Sequence, residues 1–214
     1  MPTLTRLARI ARLAAVAVSL ASPFALAVGT GSLPTAYAGQ AEADARSFVE
    51  ARHKALTEAL QASKDPRKDP KLNVIFDGLL DYENLTRDAM GEHWAELDAA
   101  QQNRFRDLLK QLIQKSYRKN LRDTVRYAVT YAGEAAAKNG VLVRTVVRDT
   151  KNTHEKPVSV DYVVDSSTGS SRVRDIVTEE VSLVGNYKKQ FARLLKKRGP
   201  EGLLTQMQKQ VDAG

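Results

Sequence analysis

The hydrophobic period changes once along this chain, near Asn120, and that change limits the fold classes open to it. Upstream, Phe105, Leu108, Leu109, Leu112, Ile113, Tyr117 and Leu121 recur at three- and four-residue steps, drawing one apolar stripe on a helix. Asp98 and Gln101 open that helix with capping-box spacing. Downstream the period is two. Val125, Tyr127, Val129 and Tyr131 alternate with Arg126, Ala128 and Thr130; a turn-rich GEAAAKNG follows, and then Val141, Val143, Thr145 and Val147 alternate with Leu142, Arg144, Val146 and Arg148. Val158, Val160, Tyr162 and Val164 make a third set, DSSTGSS a turn, and residues 172–178 a fourth strand. The alternation is that of a sheet with one covered and one wet face.

Helices flank this meander. Residues 41–62 are rich in helix formers, with Phe48, Val49, Leu56 and Leu60 on one side. KDPRKDP (64–70) interrupts them, since two prolines and alternating charge cannot extend a helix. A second helical region spans 73–97, with a break at Gly91. After the fourth strand, Gly185 permits a change of direction and Asn186 an N-cap. Tyr187, Phe191, Leu194 and Leu195 then form the inner side of a helix, and RGPEG (198–202) stops it before a short last helix. The expected fold is α+β: N-terminal helices and a C-terminal helix packed on one face of an approximately four-stranded antiparallel sheet.

The first residues place Arg6, Arg9 and Arg12 ahead of an apolar run from 13 to 28, and Ala36-Tyr37-Ala38 follows as a small-residue cleavage site. That is the layout of a secretory signal, here residues 1–38, leaving 39–214 as a single domain that is expected to be exported and soluble. The cut removes three arginines and no acid, so a net charge of +8 falls to +5. Such mild basicity, without aromatic residues among the basic ones, gives no reason to expect nucleic acid as a partner. The chain has no cysteine, which excludes disulfides and thiolate metal sites.

No catalytic or metal-ligating arrangement stands out. His53, His93 and His154 have no ligand spacing, and Glu179 and Glu180, being adjacent, point to opposite faces of a strand. Asp175 is singled out: if Val173 and Val177 face inward, so does its carboxylate, which must then find hydrogen bonds or a cation. Two readings follow, a tie to a tyrosine or a helix N-terminus, and a polar fixture at a cavity mouth.

LDYENLTRDAMGEHW (80–94), AAQQNRFRDLLKQLIQKSY (99–117) and DIVTEEVSLVGNYKKQFARLLKKRGPEGLL (175–204) together resemble the MlaC family, over nearly all of the chain from 72 to 207. The combination of Gly91, His93 and Trp94 with Val181-Ser182-Leu183, Asn186-Tyr187 and Gln190-Phe191 carries the resemblance. Three positions depart from the family pattern: Ser171 and Arg174 stand where aromatic residues are expected, and Glu180 where glycine is common. The resemblance implies a soluble periplasmic phospholipid carrier, not an enzyme. It implies phospholipid as cargo without other cofactors, and as partners an outer-membrane lipoprotein complex and the substrate-binding complex of an inner-membrane ABC transporter.

Solvation energetics agree with that implication. A diacyl lipid exposes roughly 30 methylene and methyl groups at about 0.8 kcal/mol each, so its tails must be enclosed in an apolar cavity between two layers. The lining expected from the sheet is Val143, Val160, Tyr162 and Val177; from the helices it is Leu109, Ile113, Tyr117, Leu183, Tyr187 and Phe191. Arg144, Lys188 and Arg193 could make a basic rim for the head group. A monomer suffices for such a shuttle. The competing reading is an exported enzyme on a cavity-bearing α+β fold with Asp175 as acid or base.

Overall fold

The computed structural model describes residues 35–65, 69–124 and 126–213, and the side chains of 35–40, 117 and 119–124 fall outside that description. The segment expected to be an export signal, 1–38, therefore lies outside the described residues except for the backbone of 35–38, as do Val125 and the side chains of Tyr117 and Leu121.

Among the described residues, five α-helices and a 3-10 turn pack with one five-stranded antiparallel sheet. In chain order they are α1 (Thr35–Ala62), α2 (Pro70–Asp77), α3 (Tyr82–Met90), the 3-10 turn Gly91–Glu96, α4 (Ala99–Thr124), β1 (Tyr127–Ala137), β2 (Gly140–Asp149), β3 (Val158–Asp165), β4 (Arg172–Thr178), β5 (Val181–Ser182) and α5 (Leu183–Asp212). The sheet runs β1-β2-β3-β4-β5 in sequence order, a meander closed by local hairpins. The two-residue β5 is the strand beyond the expected four. Beside it, residues 79–81 cover the same edge of β4: Asp81 N donates to Val173 O and Val173 N to Leu79 O, at 2.9 and 2.8 Å.

Local chemistry fixes the helix ends. Asp69 accepts from Lys71 N ahead of Pro70, and Asp81 accepts from Asn84 N to start α3. At α4 the capping box is reciprocal, Gln101 N donating to Asp98 Oδ1 at 2.8 Å and Asp98 N to Gln101 Oε1 at 3.1 Å. The N-cap of α5 is Ser182, three residues before Gly185 and four before the expected Asn186: its hydroxyl accepts from Gly185 N at 2.8 Å. RGPEG breaks the helical backbone within α5, where the sequence places a stop. Gly199 turns the chain at φ 65° and Pro200 starts the continuation, so the expected last helix is the distal half of α5.

One face of the sheet carries the core. Val143, Thr145 and Val147 of β2 and Val160, Tyr162 and Val164 of β3 are buried there, whereas Arg144 and Arg148 are exposed. The stripe of α1 packs against β1, β2 and β3; α3 and α5 pack against β4; α4 packs on α3 and α5. Among the described residues no helix is long and apolar enough to cross a membrane.

Two β-bulges change the sheet's phase. In β4, Val173 opposes Val164 and Asp175 opposes Val163, leaving Arg174 as the extra residue. Val173 therefore faces the core, but beyond the bulge Ile176 and Thr178 do so, and Asp175 and Val177 turn to the opposite face. The expectation that Val177 and Asp175 share the inner face with Val173 is corrected on this ground. In β1, Ala132 is the extra residue between Tyr131 and Gly133, which brings Glu134 into register with Val143. Strand β1 also runs through GEAAA to Ala137, so the expected long connection shrinks to a Lys138-Asn139 turn.

Candidate functional site

The side chains expected to line a cavity fall into two groups within one continuous hydrophobic core. Val143, Val160 and Tyr162 lie on the inner sheet face beneath α1, exposed by 0, 0 and 1%. Leu109 and Ile113 on α4, with Leu183 and Phe191 on α5, are buried in the helical group, where Tyr187 is half-buried. The helical group is aromatic at its centre: Phe105 and Phe191 meet edge to face at 5.0 Å, Trp94 reaches Phe105 at 6.3 Å, and Tyr187 stacks on Phe191 at 5.4 Å. Val143, Val160 and Leu109 are fully buried, whereas Ile113, Leu183 and Phe191 keep 5–8% exposure and Tyr187 is half-buried. Val177 lies on the other face of the sheet.

The rim residues do not form one cluster. Arg144 is exposed on the outer face of β2, and Lys188 and Arg193 stand on the exposed side of α5, where Arg193 Nε donates to the Lys189 carbonyl.

The layer between α1 and the sheet contains a polar seam that the sequence patterns do not announce. The buried stripe of α1 is Ala45, Val49, His53, Leu56 and Leu60, so a histidine occupies the middle of an apolar row. His53 Nδ1 and the Tyr131 hydroxyl share a hydrogen bond of 2.6 Å, and the His53 ring meets Tyr162 edge-on at 5.2 Å. Burial drops the His53 pKa to about 3 and pushes the Tyr131 and Tyr162 hydroxyls above their ordinary range. Two turns earlier, Arg46 pairs with Glu50 at 2.8 Å and with Glu134 at 3.5 Å, its guanidinium over the Tyr131 ring. The signal for Glu134 was hidden by the bulge at Ala132.

Asp175 is tied to the start of α5. Its carboxylate accepts from the Ser182 hydroxyl, from Val184 N at 3.0 Å and from Ile176 N at 2.8 Å. Those donors include an otherwise orphaned amide of the first helical turn, so the group acts as a helix-start anchor. On the same side, Arg174 spans Asp88 at 2.9 Å and Asp165 at 3.1 Å. A cleft of about 240 Å³ opens there between Asp88, Lys138, Val163, Arg174, Asp175 and Val184. None of the residues expected to line the lipid cavity borders it. Among the described residues no three His, Asp or Glu side chains gather as a metal-binding group.

The fold and this core define a class: an α+β fold whose open antiparallel sheet buries one face under helices, with a partly polar layer beneath α1. The chain belongs to the MlaC family, whose family model matches residues 50–209. No curated protein matches it. Seven solved chains match, among them the phospholipid-binding protein from Ralstonia solanacearum in complex with a phospholipid. That structure is 27% identical with a TM-score of 0.69, and the match covers 79% of this chain and 97% of that one.

Proposed function

We propose that this protein is a periplasmic phospholipid carrier, exported by the signal at residues 1–38 and working as a monomeric single domain (39–214) that binds lipid without catalysing a reaction. It takes lipid between an outer-membrane lipoprotein complex and the substrate-binding complex of an inner-membrane ABC transporter. The observation that carries this reading is the fold shared with the Ralstonia solanacearum phospholipid-binding protein, which was solved in complex with a phospholipid and is matched over 97% of its chain. Family membership supports it.

The tails would lie between the inner sheet face and the helices. With Val143, Val160 and Leu109 fully buried, loading would have to move the side chains around them. A soluble domain with no nucleotide site cannot then release its cargo uphill, which is why the reading requires membrane partners that supply an apolar path or energy.

The test is native mass spectrometry of the mature protein purified from its periplasm, with lipid extraction of the same sample. Co-purified phospholipid in about equimolar amount is the expected result. Protein that is empty on purification and takes up no phospholipid from vesicles overturns the proposal.

A further inference from the structure

Two hydroxyls on the inner sheet face have no hydrogen-bond partner among the described residues: Tyr162 Oη and Thr178 Oγ1. Both residues are almost wholly buried, at 1 and 2% exposure. Buried hydroxyls are rarely left this way, because each has given up its water. Their neighbours follow the rule. Thr145 donates to the Val160 carbonyl, and Tyr131 is bonded to His53.

The two orphans are placed as a pair. Val160 opposes Thr178 across β3 and β4, and Tyr162 lies two residues further along β3 on the same face. Such diagonal neighbours are about 7–8 Å apart at their Cα atoms, within reach of one small polar assembly. The chemistry this patch can accept is narrow. Both groups can donate, and their depth suits a neutral acceptor. An anion there would be stripped of water beside His53, and Arg46, on the same helix, already serves Glu50 and Glu134.

Resting on the phospholipid reading, we infer that the Tyr162 and Thr178 hydroxyls are donors to the ester carbonyls of the bound lipid, a buried subsite that recognises acyl esters where the tails meet glycerol. A diacyl lipid brings two such carbonyls, which accept and cannot donate. A dialkyl ether lipid of the same shape brings neither. The subsite thus makes the protein selective for ester-linked tails independently of the head group.

The experiment incubates delipidated mature protein with vesicles holding equal amounts of diacyl and dialkyl phosphatidylethanolamine of matched chain length. The ratio of the two lipids in the re-isolated protein is then read by mass spectrometry. Wild type is expected to favour the diacyl form by about tenfold, the scale of one or two hydrogen bonds. Tyr162→Phe is expected to bring the ratio toward one, and Thr178→Val, nearly equal in volume, to lower it as well. Lipid-free Tyr162→Phe should melt no lower than wild type, since it removes an unpaired buried hydroxyl. A wild-type ratio near one overturns this inference alone, as does a ratio unchanged in both variants. A lowered melting point of lipid-free Tyr162→Phe with an unchanged ratio assigns the hydroxyl to the fold and also overturns it. Uptake of neither lipid by wild type overturns the phospholipid reading and this inference with it.

Discussion

Glu179 and Glu180 make the turn between β4 and β5 with φ of 50° and 64°, backbone that L side chains enter at a cost of roughly 1–2 kcal/mol each. Glu179 has a compensation, because its carboxylate accepts from Ser159 N at 2.9 Å. Glu180 stands where the family pattern favours glycine, and the positive φ supplies the physical reason. Glu180→Gly should therefore raise stability by about 0.5–1 kcal/mol after the larger unfolded-state entropy of glycine is subtracted, read as a higher urea midpoint. An unchanged or lower midpoint would show the turn to be unstrained. His53 makes a second prediction. Its folded pKa of about 3 lies below the ordinary 6.5, so the fold favours the neutral ring. Stability is then complete above about pH 6.5 and falls toward pH 3 as the unfolded chain takes up a proton that the folded chain refuses, at about 1.4 kcal/mol per pH unit. His53→Leu, which suits the apolar row of α1, should remove that slope between pH 6.5 and 5, above the range where most carboxylates titrate. Urea melts at several pH values check it, and equal slopes in the two proteins would refute it.

At the scale of elements, β1 and β2 are held in register by a turn that only one residue type fits. Gly140 has φ 134°, and a Cβ there would sit 2.0 Å from the Val164 carbonyl oxygen of β3. Gly140→Ala must push β2 off β3, and we expect a loss of about 3 kcal/mol or more, seen as a large drop in thermal midpoint. A small drop would mean that the hairpin end is free to move. The same elements mark what a sequence can and cannot disclose. The α4 cap was legible because Asp98 and Gln101 make both of their bonds within four residues. So was the inner face of β2 and β3, where alternation runs unbroken from Val141 to Val147 and from Val158 to Val164. The bulges were not legible. Ala132 and Arg174 are ordinary residues in their stretches, yet each inserts one position and reverses every side chain beyond it. Hence alternation alone puts Val177 on the core face and gives no sign of Glu134 or Ile176. Arg174 itself, a departure from the family pattern, is the bulge residue whose guanidinium ties α3 to β3 through Asp88 and Asp165.

For the whole molecule, the phospholipid reading sets the question of which boundary parts when lipid enters. The helical group of α3, α4 and α5 is joined by Phe105, Phe191 and Trp94 and by wholly buried Leu203, Leu204 and Met207, so separating those helices exposes hydrocarbon with nothing to offset it. The α1 boundary differs in kind. Its stripe includes apolar Val49, Leu56 and Leu60, but Arg46, Glu50, His53, Tyr131 and Glu134 lie along the same seam, and water can replace the bonds these groups make with one another. His53 also regains its ordinary affinity for protons once wetted, which lowers the cost of parting further at mildly acid pH. The tails should therefore enter by lifting α1 from β1, β2 and β3 while the other helices stay together as one body. Amide hydrogen exchange on the delipidated protein checks this directly. We expect α1 amides to exchange faster than those of α4 and the first half of α5, and vesicle-delivered phospholipid to change protection mainly in α1 and in the strands beneath it. Equal protection in all the helices, or a response to lipid confined to α4 and α5, would place the opening elsewhere. The neutral seam under α1 would then be a feature of stability with no part in loading.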